Sequence, residues 1–226
     1  MASSAHLSVL RGGRWFADLD DDLQRALVQA GRVRGLADQA RLFSRGDDGD
    51  GLYAVLAGAL CITATTESGR EVMLTRMEPP TWFGEIAVFD RQPRTHDVVA
   101  DGDSEVLHVP LVALDALLLR EPLFWRDLGL LLSGKLRLTF AALEDSAALP
   151  LRPRLARRLV MLAEGHGEHH PDAKRTLEVT QEQLAAMLSS SRQSVNQALK
   201  ELEQHGLVRV AYGQIVLVDL EALRAL

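Results

Sequence analysis

The sequence contains a single cysteine, Cys61. The chain can therefore form no internal disulfide, and one thiolate alone holds neither an iron–sulfur cluster nor a zinc ion. Cys61 reads as a small buried strand residue. Also missing is any run of the ~20 apolar residues that a bilayer crossing requires. The start, MASSAHLSVLRGGRW, lacks the basic end, apolar core and small-residue cleavage site of a secretory leader. The expectation is a soluble, cytoplasmic protein. With no nucleophile elbow, P-loop or metal-ligand helix, no catalytic residue and no metal site are assigned and no enzyme is expected. Three histidines in GHGEHHPDAKR (165–175), His166, His169 and His170, lack a carboxylate and histidine pair at helical register. They read as a solvated loop, with adventitious metal binding as the other reading.

What is present is enough apolar content, 47% of 226 residues, for two modest cores. The net charge of −6 argues against indiscriminate nucleic-acid binding. Residues 151–226 hold 10 Lys and Arg against 9 Asp and Glu, which leaves 15 against 22 for residues 1–150. Phosphate contact is thus expected in the C-terminal segment, where four arginines lie between Arg152 and Arg158.

Along the chain, FADLDDDLQRALVQAG (16–31) spaces Phe16, Leu19, Leu23 and Leu27 as one amphipathic helix. From about 36 to 110, short runs of Val, Leu, Ile and Thr alternate with turn chemistry such as GDDGDG (46–51), which implies an antiparallel barrel or roll. A helical pattern resumes at Val112. Its long segment, from Pro122 to Leu149, carries Leu128, Leu132, Leu136, Thr139, Leu143 and Ser146 at steps of three and four. Such a stripe suits the same helix of a second subunit or a cover for the barrel. Pro150 and Pro153 end it and open a helix over 153–164. The organisation expected is a roll domain over residues 1–121, a long helix suited to dimerisation over 122–149 and a further domain over 150–226.

In that last domain, Thr180 and Gln183 form a capping-box pattern ahead of Leu184, Met187 and Leu188. Ser191 caps a second helix, with Val195, Ala198, Leu199 and Leu202 on one face and Arg192, Gln193, Asn196, Gln197 and Lys200 on the other. Gly206 ends it, and LVRV-AYG-QIVLV reads as a two-stranded wing turning at Tyr212-Gly213. This is a winged helix-turn-helix. Arg192 suits guanine O6 and N7, and Gln193 or Gln197 suits adenine N6 and N7. Ser191, Ser194 and Lys200 suit phosphates. Thr180, Gln181 and Asn196 complete the DNA-facing set. A dimer on a near-palindromic operator follows, its recognition helices ~34 Å apart.

FGEIAVFDRQPRTHD (83–97) places a carboxylate beside Gly84 and an arginine and a hydroxyl at positions 94 and 95. An arginine fork neutralises and orients a phosphate, and a buried carboxylate beside it needs a donor such as a sugar hydroxyl. The other reading is a structural Glu85–Arg94 ion pair across a turn.

Taken together, LFSRGDDGDGLYAVLAGAL (42–60), FGEIAVFDRQPRT (83–95), the long helix and TQEQLAAMLSSSRQSVNQALKELE (180–203) closely resemble the cyclic-AMP receptor protein and fumarate-and-nitrate-reduction regulator family of bacterial transcription factors. The resemblance spans roughly residues 16–220. It implies an α+β fold: an antiparallel, jelly-roll-like cyclic-nucleotide-binding β-roll, a long dimerisation helix and a winged helix-turn-helix. By resemblance Glu85 accepts from a ribose 2′-hydroxyl, Arg94 pairs with the cyclic phosphate, Gly84, Ile86, Ala87 and Thr95 line the cassette, and Thr139 meets the base. The effector implied is cyclic AMP. The resemblance also adds RNA polymerase as a candidate partner. Pro79-Pro80-Thr81, His96 and Phe140 depart from the family pattern, so cyclic GMP and cyclic di-GMP stay open. A ligand-independent regulator also stays open, as does a haem or redox sensor with His96 or an N-terminal group as axial ligand.

Overall fold

The computed structural model describes residues 4–66, 69, 71–165 and 175–226. His166, His169 and His170 lie outside them. A short helix, α1 (Ser4–Leu10), precedes α2 (Arg14–Ala17) and α3 (Asp21–Ala30). The single helix expected over 16–31 is thus broken. Asp20 caps α3 by accepting from the Asp22 backbone at 2.8 Å, the local side-chain bond with which aspartate competes against helix continuation.

Strands β1 (Arg32–Leu36), β2 (Arg41–Phe43), β3 (Gly51–Ala57), β4 (Leu60–Thr65), β5 (Glu71–Met77) and β6 (Trp82–Phe83) follow, then α4 (Glu85–Asp90), β7 (Asp97–Ala100) and β8 (Ser104–Pro110). They form two antiparallel sheets, in the orders β1-β8-β3-β6 and β2-β7-β4-β5. The roll read from short, turn-bounded runs is present, and Cys61 is a buried residue of β4. Because side chains alternate along a strand, β3 serves two cores. Tyr53 and Val55 point between the sheets, with Leu60, Met77, Phe83 and Val98. Leu52, Ala54 and Leu56 face the helices outside.

Those helices are α5 (Leu111–Arg120) and α6 (Phe124–Ala148) together with the N-terminal ones. Trp82, fully buried, is met edge-on by Trp15 at 5.3 Å and stacked by Phe16 at 5.4 Å. Trp15 Nε1 also donates to the Asp127 carbonyl at 2.7 Å, which fixes the start of α6. Leu128 and Leu131 of α6 are buried in this core. Leu136, Phe140 and Leu143, further along, are 50%, 55% and 64% exposed. The stripe therefore divides: its first turns cover the roll, and its later turns have no cover in the single chain.

Beyond Pro150 lie α7 (Leu151–Ala163), β9 (Thr176–Leu177), α8 (Gln181–Met187), α9 (Arg192–Gln204), β10 (Val208–Ala211), β11 (Gln214–Leu217) and α10 (Leu220–Arg224). α7 starts two residues ahead of the expected helix, with Pro150 as N-cap. The wing gains a third strand, since β9 pairs with β11 through Leu177 and Ile215. Two residues of β9 are too few to show alternation, which is why the sequence did not reveal them. A separate core of Leu155, Leu159, Leu184, Val195, Leu199 and Ile215 holds this region together.

The roll and the C-terminal region touch directly. Asp101 Oδ2 accepts from Arg76 Nε at 2.6 Å and from Gln183 Nε2, on α8, at 3.0 Å. Arg158 of α7 donates to the Leu74 carbonyl of β5 at 3.1 Å, and Met73 packs on the second core. Asp145 near the end of α6 pairs with Arg157 at 2.5 Å.

Candidate functional site

The turn after β6 places Gly84 at φ 97°, in the left-handed region where a side chain is unfavourable. A Cβ there would stand 2.8 Å from Arg94 Nη1 and 3.0 Å from the Gly51 carbonyl. Glycine is required twice over, by conformation and by space. It lets Glu85 and Arg94 be buried close together, at 3% and 5% exposure.

The direct Glu85–Arg94 ion pair weighed as an alternative does not form. Arg94 Nη2 donates to Asp50 Oδ1 at 2.7 Å and to the Gly51 carbonyl at 2.9 Å, while Nη1 donates to the Gly84 carbonyl at 3.2 Å. Glu85 accepts instead from Lys135 Nζ of α6 at 2.8 Å, and the same ammonium donates to the Trp82 carbonyl at 2.6 Å. Arg94 is drawn toward the start of β3 and Glu85 toward α6, so each charge is matched by a partner from a different element. Arg94 Nε is buried with no hydrogen-bond partner. A buried guanidinium with an unused N–H fits an anionic group.

Aromatic faces complete the guanidinium's surroundings. Its carbon lies 4.4 Å from the Phe43 ring centroid and 5.5 Å from that of Tyr53. Tyr53 donates to Asp50 Oδ2 at 2.7 Å and stacks on His108 at 4.4 Å. Burial works against the Asp50 charge, but the hydrogen bonds from Tyr53 and Arg94, with His108 nearby, together hold its carboxyl below the usual range. Burial likewise pushes His108 down, only partly opposed by Asp50.

The remaining cassette residues are dispersed. Ala87 is buried against Gly49, Ile86 is 42% exposed, and Thr95 is an exposed residue bonded to His96 Nδ1 at 2.9 Å. Burial and the charge of Arg45 push His96 down. Thr139 donates to the Lys135 carbonyl at 2.9 Å, and neighbouring Phe140 is exposed. Lys135, Asp50 and Tyr53 were absent from the residues singled out in the sequence. Lys135 sits one helical turn before Thr139, on the same face, and that spacing was the available signal. Asp50 was hidden in the turn-rich GDDGDG.

The second surface is built as its caps imply. Thr180 Oγ1 accepts from the Gln183 backbone at 3.1 Å and Gln183 Oε1 from that of Thr180 at 2.9 Å. Ser191 caps α9 by accepting from the Ser194 backbone at 3.0 Å, and the two hydroxyls bond each other at 2.8 Å. Arg192, Gln193, Gln197 and Lys200 are exposed on α9, with Asn196 half-buried and Gln181 half-buried on α8. Glu203 Oε1 accepts from the Val210 backbone at 2.8 Å, tying α9 to the wing.

Residues 33–121 match the cyclic nucleotide-binding domain family, and residues 153–226 match the Crp-like helix-turn-helix domain family. The chain is 31% identical over 183 residues to a CRP-like cAMP-activated global transcriptional regulator of Mycobacterium tuberculosis, covering 80% of this chain and 82% of that protein. It is 32% identical over 177 residues to the transcriptional regulator SdrP of Thermus thermophilus, covering 78% and 84%. A solved structure of a CRP/FNR-family transcriptional regulator, also from Thermus thermophilus, superposes with a TM-score of 0.66 at 29% identity, covering 86% of this chain and 97% of that one.

Two consequences are measurable. Lys135→Ala leaves Glu85 buried without its cation and is expected to cost about 3 kcal/mol in urea denaturation, while Lys135→Met with Glu85→Gln recovers most of that loss. The second concerns pH. His96 and His108 have folded-state values below the unfolded ~6.5, so the unfolded chain binds more protons and stability falls as pH drops below about 6.5. Asp50, also depressed, adds a further loss at lower pH, as it titrates below its unfolded ~3.9. The urea midpoint should decline from pH 7 to 5, with a shallower slope in His108→Asn.

Proposed function

The chain belongs to the CRP/FNR family of transcription regulators, and from that premise we propose that it is a homodimeric, cyclic-AMP-responsive regulator that binds a near-palindromic operator. The observation that carries the sensing half is the buried Arg94, with its Nε unpartnered, beside a Glu85 tethered to α6. In this reading Arg94 takes the cyclic phosphate, Glu85 the ribose hydroxyl, and Gly84, Ile86, Ala87 and Thr95 the rest of the cassette. Thr139 and Phe140 lie nearest the base. A hydroxyl bonded to Glu85 competes with Lys135, so occupancy is felt on the long helix. The division proposed is a sensor over residues 1–121, a dimerisation helix over 122–149 and a DNA-binding domain over 150–226.

Dimerisation through α6 is supported by the exposed Leu136, Phe140 and Leu143, which a second α6 would bury. It would set two α9 helices against successive turns of DNA. Arg192, Gln193, Asn196 and Gln197 then face base edges, and Thr180, Gln181, Ser191, Ser194 and Lys200 face the backbone. RNA polymerase remains a candidate partner in this reading.

A second reading is favoured by the internal pairs themselves. With Asp50 on Arg94 and Lys135 on Glu85, both buried charges are matched from within the chain, and in this reading the dimer binds its operator unaided.

Calorimetry with cyclic AMP, cyclic GMP and cyclic di-GMP, alongside operator titrations with and without nucleotide, separates the readings. Cyclic AMP is expected to bind, and Arg94→Ala to weaken that binding at least about tenfold through lost charge-assisted hydrogen bonds. Arg192→Ala is expected to lose about tenfold or more in operator affinity with ligand binding retained. Preference for cyclic GMP or cyclic di-GMP would transfer the effector. No nucleotide binding together with equal operator affinity would establish the ligand-independent form.

A further inference from the structure

The outward face of α9 carries an acidic side chain in contact with a base-reading candidate. Glu201 lies one helical turn beyond Gln197, on the same face. Its Oε1 accepts from Gln197 Nε2 at 3.3 Å, and its Oε2 stands 3.9 Å from Nη1 of Arg152 at the start of α7. Arg152, Gln193, Gln197, Lys200 and Glu201 line one open groove. A carboxylate in such a place repels DNA phosphates and lowers affinity for every sequence alike. Its two oxygens, however, hold two different partners.

We infer that Glu201 is a positioning residue for sequence reading, orienting the Gln197 amide and restraining Arg152. The inference rests on the DNA-reading role proposed above for α9 and names what sets that reading. A glutamine amide presents a carbonyl and an NH2 that can exchange places by rotation. Glu201 is an acceptor only, so it selects the NH2 end and occupies one of its two hydrogens. What remains is one donor and one acceptor side by side, the combination that complements adenine N7 and N6–H. Without Glu201 the amide also populates the reversed orientation, and the preference for adenine weakens. Arg152, two residues after Pro150, lies in the first turn of α7, the segment with which the DNA-binding domain begins after α6. Glu201 therefore ties a base-reading side chain to that segment and keeps one arginine from a phosphate.

The test is selection of sites from a random duplex pool by the full-length wild type, Gln197→Ala, Glu201→Ala and Glu201→Gln, with and without cyclic AMP. Salt-dependent titrations on the selected site, on its single-base variants and on an unrelated duplex follow. Gln197→Ala should identify one base pair per half-site. Glu201→Ala should lose roughly tenfold discrimination at that same pair. It should also bind the unrelated duplex more tightly, with a slope of log affinity against log salt steeper by about 0.9 as Arg152 takes up a phosphate. Glu201→Gln can donate as well as accept, so it selects neither end of the Gln197 amide and no longer forms an ion pair with Arg152; it should lose discrimination at the same pair and show the steeper slope. Unchanged discrimination in Glu201→Ala overturns the inference, and so does a Gln197→Ala variant with unaltered preference. A change at a different pair also overturns it, because Glu201 would then be reading cytosine N4 itself. A wild type that selects no sequence at all brings down the DNA-reading role, an outcome distinct from these.

Discussion

Two opposite charges buried next to one glycine govern the architecture of the sensor. Arg94 and Glu85 are both almost wholly removed from water, and an unpaired buried charge costs several kcal/mol. Each must therefore be met by a charge from elsewhere. Asp50, at the threshold of β3, meets Arg94, and Lys135, in the middle of α6, meets Glu85. The Glu85–Lys135 pair holds the roll and the long helix together alongside the apolar packing around Trp82. In the function proposed above, this requirement also makes the region responsive, since a group that satisfies Glu85 or Arg94 from outside releases a partner fixed to a different element.

A similar economy joins the roll to the C-terminal region. Asp101 holds Arg76 of the roll and Gln183 of α8 with a single carboxylate oxygen, and Arg158 reaches a strand carbonyl. Burial and the neighbouring Arg154 push the Arg158 guanidinium below its ordinary value, so its contact with the Leu74 carbonyl compensates a desolvated cation. These bonds are directional, unlike the continuous apolar cores on either side. Among the described residues, directional polar groups thus contribute to the orientation between the two regions beside the packing of Met73, and small displacements can exchange them.

Along α6 the apolar stripe changes partner with distance. Leu128 and Leu131 are committed to the roll, whereas Leu136, Phe140 and Leu143 face solvent in one chain. Periodicity identified the helix and a stripe but left open whether the stripe covers the roll or meets a second subunit, since spacing cannot say which neighbour a residue meets. The break at Asp20 has a related origin. Leu19, Leu23 and Leu27 continue a helical rhythm, yet an aspartate cap three residues from Ala17 starts the helix afresh.

The sequence by itself determined what depends on residues a few positions apart: the capping box at Thr180 and Gln183, the Ser191 cap, the polar face of α9 and the strand rhythm of the roll. Each arises from bonds or sterics spanning at most one turn, so composition in a short window records it. The tertiary structure alone decided which charge answers which. Arg94 and Asp50 are 44 positions apart, Glu85 and Lys135 50, and Asp101 and Gln183 82. An ion pair depends on distance in space, which the path of the chain sets and no local pattern encodes.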